Sequence, residues 1–138
     1  MSTESERILH VHKYLSRMED NIIKWKIRSD FTAGTPDAYY CGPAGSLWIE
    51  YKSVKLYTKK GIIKPKLSEL QARWLNKQWE FEKNAWAIIL GPERTHYIFQ
   101  NPSKWDDPLI CTGYEEVALR ILDKISPKNI WDDPLFSG

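Results

Sequence analysis

The sequence predicts an α+β fold, a mixed central β-sheet with helices packed against it. Three observations lead there. Apolar residues recur at helical spacing in three separate segments. Short apolar or alternating runs, each bounded by Gly, Pro or polar clusters, lie between those segments. The chain has 138 residues, 42% hydrophobic and 13% aromatic. That suits one domain over 1–138 with a core that needs no disulfides.

The elements follow in order. Thr3-x-x-Glu6 is a capping box, so a helix starts near Glu4. Ile8, Val11, Leu15 and Met18 carry it to about Arg17 or Glu19. Ile22 to Ile27 alternates loosely and reads as a first strand. Asp30 to Pro36 reads as a loop, with Thr35 held extended by Pro36. Ala38 to Cys41 and Leu47 to Val54 read as a hairpin around a four-residue turn, Gly42-Pro43-Ala44-Gly45. Lys55 to Lys66 reads as a basic loop or flap. Ser68 starts a second helix, with Leu67, Leu70, Trp74, Leu75 and Phe81 on one stripe and an end near Asn84. Trp86 to Leu90 and Thr95 to Phe99 are strands around a Gly91-Pro92 turn, and Tyr114 to Ile125 is a third helix with Val117, Leu119, Ile121 and Leu122 available for packing. The predicted order is α-β-β-β-α-β-β-α.

Composition narrows the function classes. The formal net charge is only +2. Its distribution is more informative: Lys55, Lys59, Lys60, Lys64 and Lys66 fall within twelve residues that contain no acid. Such a segment, with Tyr57 inside it, suits contact with a phosphate backbone, and a solvated loop is the alternative. Cys41 and Cys111 show neither disulfide-framework nor zinc spacing. His10, His12 and His96 form no metal set, since positions 10 and 12 diverge on a helix. The N-terminus is polar and acidic, and no apolar run approaches membrane-spanning length, so an intracellular protein is expected.

The chemistry concentrates in Pro36-Asp37, followed after twelve residues by Glu50-Tyr51-Lys52. In the expected hairpin, position 37 lies across from about position 50, so register brings the two carboxylates together. Lys52 is two residues beyond Glu50 and leaves the strand on the same face. Tyr51 points the other way, into the core. Two carboxylates, with the backbone carbonyl of Tyr51 nearby, offer hard oxygen ligands to Mg²⁺. An ammonium beside them can orient a water or stabilise negative charge at a phosphate. A surface strand carrying an ordinary Glu–Lys pair is the alternative.

Gly34-Thr35-Pro36-Asp37, Leu47-Trp48-Ile49-Glu50-Tyr51-Lys52 and Leu67-Ser68-Glu69-Leu70-Gln71 together resemble the PD-(D/E)XK nuclease superfamily. The resemblance is greatest to its small VRR-NUC-type, phage-type or homing-endonuclease branches, and it runs from about Glu4 to Leu90. It implies a restriction-endonuclease-like α-β-β-β-α-β core; the basic insertion at 55–66 departs from the compact branch, and a C-terminal extension follows from about residue 100. It implies Mg²⁺ dependence with Mn²⁺ as a substitute, DNA as partner, and an endodeoxyribonuclease. Branched, Holliday-junction-like DNA, a specific long duplex site and a restriction-type site compete as substrates. A homodimer is expected, because one active site cuts one strand. The family's extra acid on the first helix, a catalytic residue and further metal ligand, best matches Glu4, which shares the apolar face of that helix; complementing the helix dipole is the other explanation. The family's Gln matches Gln71, which falls on the apolar stripe of its helix, although Ser68-x-x-Gln71 is also a capping box. A non-catalytic DNA-binding module and a protein-interaction domain remain the alternative classes. Trp105-Asp106-Asp107-Pro108-Leu109 recurs as Trp131-Asp132-Asp133-Pro134-Leu135, read as two turns anchored by Trp and Leu.

Overall fold

The computed structural model describes residues 3–27, 34–53, 55–57, 61, 63–101 and 107–127. The order is α1 (Glu4–Met18), β1 (Ile23–Lys26), β2 (Ala38–Gly42), β3 (Gly45–Lys52), β4 (Lys55–Tyr57), β5 (Ile63–Pro65), α2 (Glu69–Glu82), β6 (Ala85–Leu90), β7 (Thr95–Phe99), β8 (Leu109–Thr112) and α3 (Gly113–Ile125). Six strands form one mixed sheet in the order β1-β2-β3-β6-β7-β8. Only β3 and β6 run parallel within it, and α2 makes the crossover between them. The α+β class and the α-β-β-β-α-β order of the core are as expected.

Side-chain alternation divides the sheet into two faces. Tyr40, Leu47, Ile49, Tyr51, Ile88, Leu90 and Ile98 pack against Ile8, Val11 and Leu15 of α1 and Val117, Ile121 and Ile125 of α3. The opposite face carries Ala87, Ile89, Tyr97 and Phe99, with Ile63 packed on them. Trp74 of α2 meets Trp48 of β3 edge to face on that side, at 5.1 Å between ring centroids. β3 is therefore central, flanked by two strands and covered on both faces, and a charged side chain on it is desolvated.

Several expectations are corrected. The hairpin turn is shorter than four residues: Gly42 and Gly45 pair with each other, leaving Pro43-Ala44 as the loop. The glycines extend the ladder because they lack side chains that would resist a tight reversal. The added pair keeps Ala38 opposite Ile49, so positions 37 and 50 are opposed as anticipated. The segment after β3 is not simply a loop, since β4 and β5 form a two-stranded antiparallel hairpin. β8 was not anticipated; its exposed-buried alternation over four residues is too brief to stand out. The expected apolar stripe of α2 is also wrong in part. Leu75 is buried, but Leu70 is 49% and Phe81 75% exposed, because α2 covers only a strip of the sheet. Leu119 of α3 is likewise exposed.

Of the basic segment, Lys64 and Lys66 are exposed. Lys64 lies between Ile63, which rests on the sheet, and buried Pro65. Lys59, Lys60 and the side chain of Lys55 lie outside what is described, as do Trp105-Asp106 and the whole second copy of the pentapeptide. Among the described residues, no helix is long and apolar enough to cross a membrane.

Candidate active site

Each part of the site is positioned by a local rule. Register places Asp37 opposite Glu50, and the Tyr51 backbone N–H donates to Asp37 Oδ2 at 2.9 Å. The residue that separates Glu50 from Lys52 thus also fixes the second carboxylate. The Tyr51 side chain points into the opposite face, as anticipated, and its hydroxyl lies 2.6 Å from that of Tyr40. Tyr40 in turn meets His12 Nε2 at 2.8 Å. Burial, with Lys24 and Lys26 nearby, pushes His12 down to about 4, so it is neutral at physiological pH. This His12–Tyr40–Tyr51 chain pins the strand from behind.

Gln71 makes two sets of contacts at once. Its Oε1 accepts from the Ser68 N–H at 2.9 Å while its own N–H donates to Ser68 Oγ at 3.1 Å, completing the capping box. Its Nε2 donates to Glu50 Oε2 at 3.0 Å. The amide has an acceptor end and a donor end, and the helix start uses one while the acid uses the other. The loop before Asp37 is fitted to the same helix. Gly34 has φ +85°, and a Cβ there would lie 2.7 Å from the Leu70 carbonyl oxygen. Glycine is required on both counts.

Glu50 is 3% exposed. Lys52 Nζ lies 3.5 Å from Glu50 Oε2, the oxygen that Gln71 also contacts. Glu50 Oε1 has no hydrogen-bond partner despite being buried. Burial, with the Asp37 carboxyl facing it, pushes Glu50 up to about 8, and Lys52 only partly offsets this. Burial also raises Asp37, against the pull of the Tyr51 N–H. With Asp37 facing it in a desolvated site, Glu50 favours holding a proton when no cation is near.

Glu4 reaches the same end of the sheet from α1. Burial and Asp37 raise its carboxyl, while Lys52 and hydrogen bonds from Ser53 act the other way. Structure therefore brings Asp37, Glu50, Lys52, Gln71 and Glu4 into one electrostatic neighbourhood. Among the described residues, no group of three or more His, Cys, Asp or Glu is arranged to hold an ion by itself. The donor set instead fits an ion that takes one or two carboxylates and fills its remaining positions with water and substrate oxygens, as Mg²⁺ does. The orphaned Glu50 Oε1 is the atom such an ion would satisfy.

Sequence reasoning missed Tyr40, His12 and Ser53. Period-2 alternation could have found Tyr40, which faces the core just as Tyr51 does. Nothing in the sequence signals Ser53.

No protein-family model matches the chain. No curated protein matches it. Among solved structures it is similar to Hjc, a Holliday junction resolvase from the archaeal hyperthermophile Archaeoglobus fulgidus. The TM-score is 0.49 at 14% identity, over 86% of this chain and 97% of that one. At those values the overlap carries no information about activity.

Proposed function

We propose that the chain is a divalent-cation-dependent endonuclease of the PD-(D/E)XK type that hydrolyses DNA, with branched DNA the first substrate to test. One observation supports this above the others. A buried glutamate with an unpartnered oxygen faces an aspartate across a hairpin and has a lysine two residues further along its own strand, 3.5 Å from its other oxygen. A structural core does not gain from a desolvated acid pair, whereas perturbed acids gathered at one end of a sheet are characteristic of sites that do chemistry.

Asp37, Glu50 and the Tyr51 backbone carbonyl are the groups that would hold a Mg²⁺ or Mn²⁺ ion, which supplies Lewis-acid chemistry toward phosphate oxygens when bound. Gln71 donates to one Glu50 oxygen and so leaves the other free for that role. Lys52, with its side chain 22% exposed, sits at the mouth of the site. Its ammonium is placed to orient a water or offset negative charge growing on a phosphate. Glu4, with its raised carboxyl, is placed to hold or accept a proton beside Lys52. Exposed Lys64 and Lys66, on and just after a hairpin anchored to the sheet, are placed to contact the DNA backbone. Because one such site cuts one strand, a homodimer is the assembly that would cut two.

The test is cleavage of supercoiled plasmid, linear duplex and a four-way junction in Mg²⁺, Mn²⁺ or EDTA, using the wild type, Asp37→Asn and Lys52→Ala. Cutting that needs the cation and is lost in both variants supports the reading. Cutting in EDTA, or cutting that survives both substitutions, overturns it. Binding without cutting in either metal would assign the chain to DNA binding alone.

A further inference from the structure

The end of the sheet that carries the acid pair has a second opening, on the face covered by α1 and α3. This cavity of about 320 Å³ is lined by Arg7, Tyr14, Gly91, Arg94, His96 and Tyr114, together with residues at the start of α3. None of these belongs to the proposed catalytic set. Arg7 lies one turn along α1 from Glu4, and its Nη1 donates to the Leu90 carbonyl at 2.6 Å, which holds the guanidinium at the end of β6.

Arg94 is placed with more strain. Both Glu93 and Arg94 have left-handed backbones, φ 59° and 65°, which cost energy in residues other than glycine. The Arg94 carbonyl accepts from the Gly113 N–H at 2.7 Å. The Arg94 guanidinium occupies the space a side chain at 113 would need: a Cβ there would lie 2.8 Å from Nη2. A cation therefore rests at the N-terminus of the thirteen-residue α3, where the helix dipole is also positive. Thr112, the N-cap, contributes no side-chain capping bond.

His96 gives an independent sign of a ligand. It is 1% exposed, and neither ring nitrogen has a hydrogen-bond partner. Its ring stacks on Tyr114 at 4.9 Å between centroids, which fixes its plane at the cavity wall. Burial, with Arg7 and Arg94 beside it, lowers its pKa to about 4. A neutral imidazole keeps one N–H to donate. The carboxylates nearby are Glu93 and Glu115 on the lining and Glu116, whose Oε2 accepts from the Thr112 N–H. The ion pairs among the described residues are Lys52–Glu50 and Arg73–Glu69, so neither Arg7 nor Arg94 has a carboxylate partner there.

Two guanidinium groups, a helix N-terminus and a buried imidazole without a partner match what a phosphate group offers: negative charge and several acceptor oxygens. We propose that this opening binds a phosphate group of a nucleic-acid strand that passes over the end of the sheet beside the acid pair. The choice of nucleic acid as the source rests on the nuclease reading; the phosphate chemistry does not. His96 pairs with Leu90 and stands two strands from β3, an offset on the order of 10 Å across the sheet. A strand engaged at Lys52 can reach that far.

The test uses the full chain with isotope-labelled histidine in EDTA, so that no cutting occurs. The His96 ring resonances are followed while inorganic phosphate, a 5′-phosphorylated single strand and a four-way junction are added separately. Anisotropy titrations of the junction at several salt concentrations accompany them for the wild type, Arg94→Gln and Arg7→Gln. Junction DNA is expected to shift the His96 resonances in the wild type and not in Arg94→Gln. Each arginine variant should flatten the slope of log K against log salt by about 1. Arg94 is exposed, so its variant keeps the proposal falsifiable should Arg7→Gln unfold on losing its bond to Leu90. A response to inorganic phosphate or to the phosphorylated end alone, with none to the junction, overturns the assignment to a backbone phosphate. No response to any of the three, or unchanged slopes, overturns the pocket itself. A His96 response in a chain that never cuts DNA would instead refute the nuclease reading and leave this one standing.

Discussion

At the scale of single residues, Glu50 sets the pH behaviour. Its folded pKa is raised to about 8 from an ordinary 4.5. Between those values the folded state holds a proton that the unfolded state has released, so the contribution of Glu50 to metal-free stability falls as pH rises from about 4.5 to about 8, while His12 and His96, held near 4, contribute in the opposite sense below their ordinary 6.5. Glu50→Gln keeps the shape and removes the ionisation. Thermal melts in EDTA at pH 5 and pH 8 should show the wild-type Tm falling relative to that of the variant as the pH rises, since the histidine contributions are common to both. Mg²⁺ should raise the wild-type Tm more at pH 8 than at pH 6, because protons compete with the ion at the lower pH. A variant whose melts track the wild type at both pH values would show that Glu50 is not the titrating group. Asp37, Glu50 and Lys52 were legible as a group in the sequence because strand alternation and hairpin register are arithmetic. The unpartnered oxygen of Glu50 was not, since it depends on α2 covering one face of β3.

At the scale of elements, the first turn of α2 joins a helix cap to the Glu50 carboxylate through one side chain. Gln71→Ala removes both the side-chain half of the capping box and the donor to Glu50, so it confounds the two roles. Gln71→Glu separates them. Glutamate completes a capping box as well as glutamine does, but it offers Glu50 a second carboxylate in place of an N–H. Helix content by circular dichroism should be unchanged, while DNA cutting falls by one to two orders of magnitude, about 1.4–2.8 kcal/mol of barrier. Full activity in Gln71→Glu would reduce the residue to a cap. The sequence presented the cap and the active-site contact as rivals because a pattern of letters assigns a side chain one role. An amide has two ends, and the three-dimensional site uses both. The misread stripe on α2 has a comparable cause: periodicity marks which residues share a side, not how much of that side a partner covers.

At the scale of the whole molecule, Lys64 on β5 and Lys66 just after it are exposed beside the sheet. Lys64→Gln combined with Lys66→Gln should lower the slope of log K against log salt for DNA by about 2, with little change in Tm. An unchanged slope in anisotropy titrations would remove these lysines from the DNA interface. The layered fold was legible because helical and strand periods alternate along the chain. β8 and the inserted hairpin were not, because three- and four-residue strands acquire their identity from neighbours distant in sequence. The bond from the Tyr51 N–H to Asp37 has a consequence for the chain while it is being made. A slip of one residue between β2 and β3 would turn Asp37 away from Glu50 and Lys52, and an undocked α2 would leave Glu50 without its amide. On the proposed nuclease reading, a newly synthesised or misfolded copy would be inert toward the cell's own DNA, and the capacity to cut would arrive only with the finished fold.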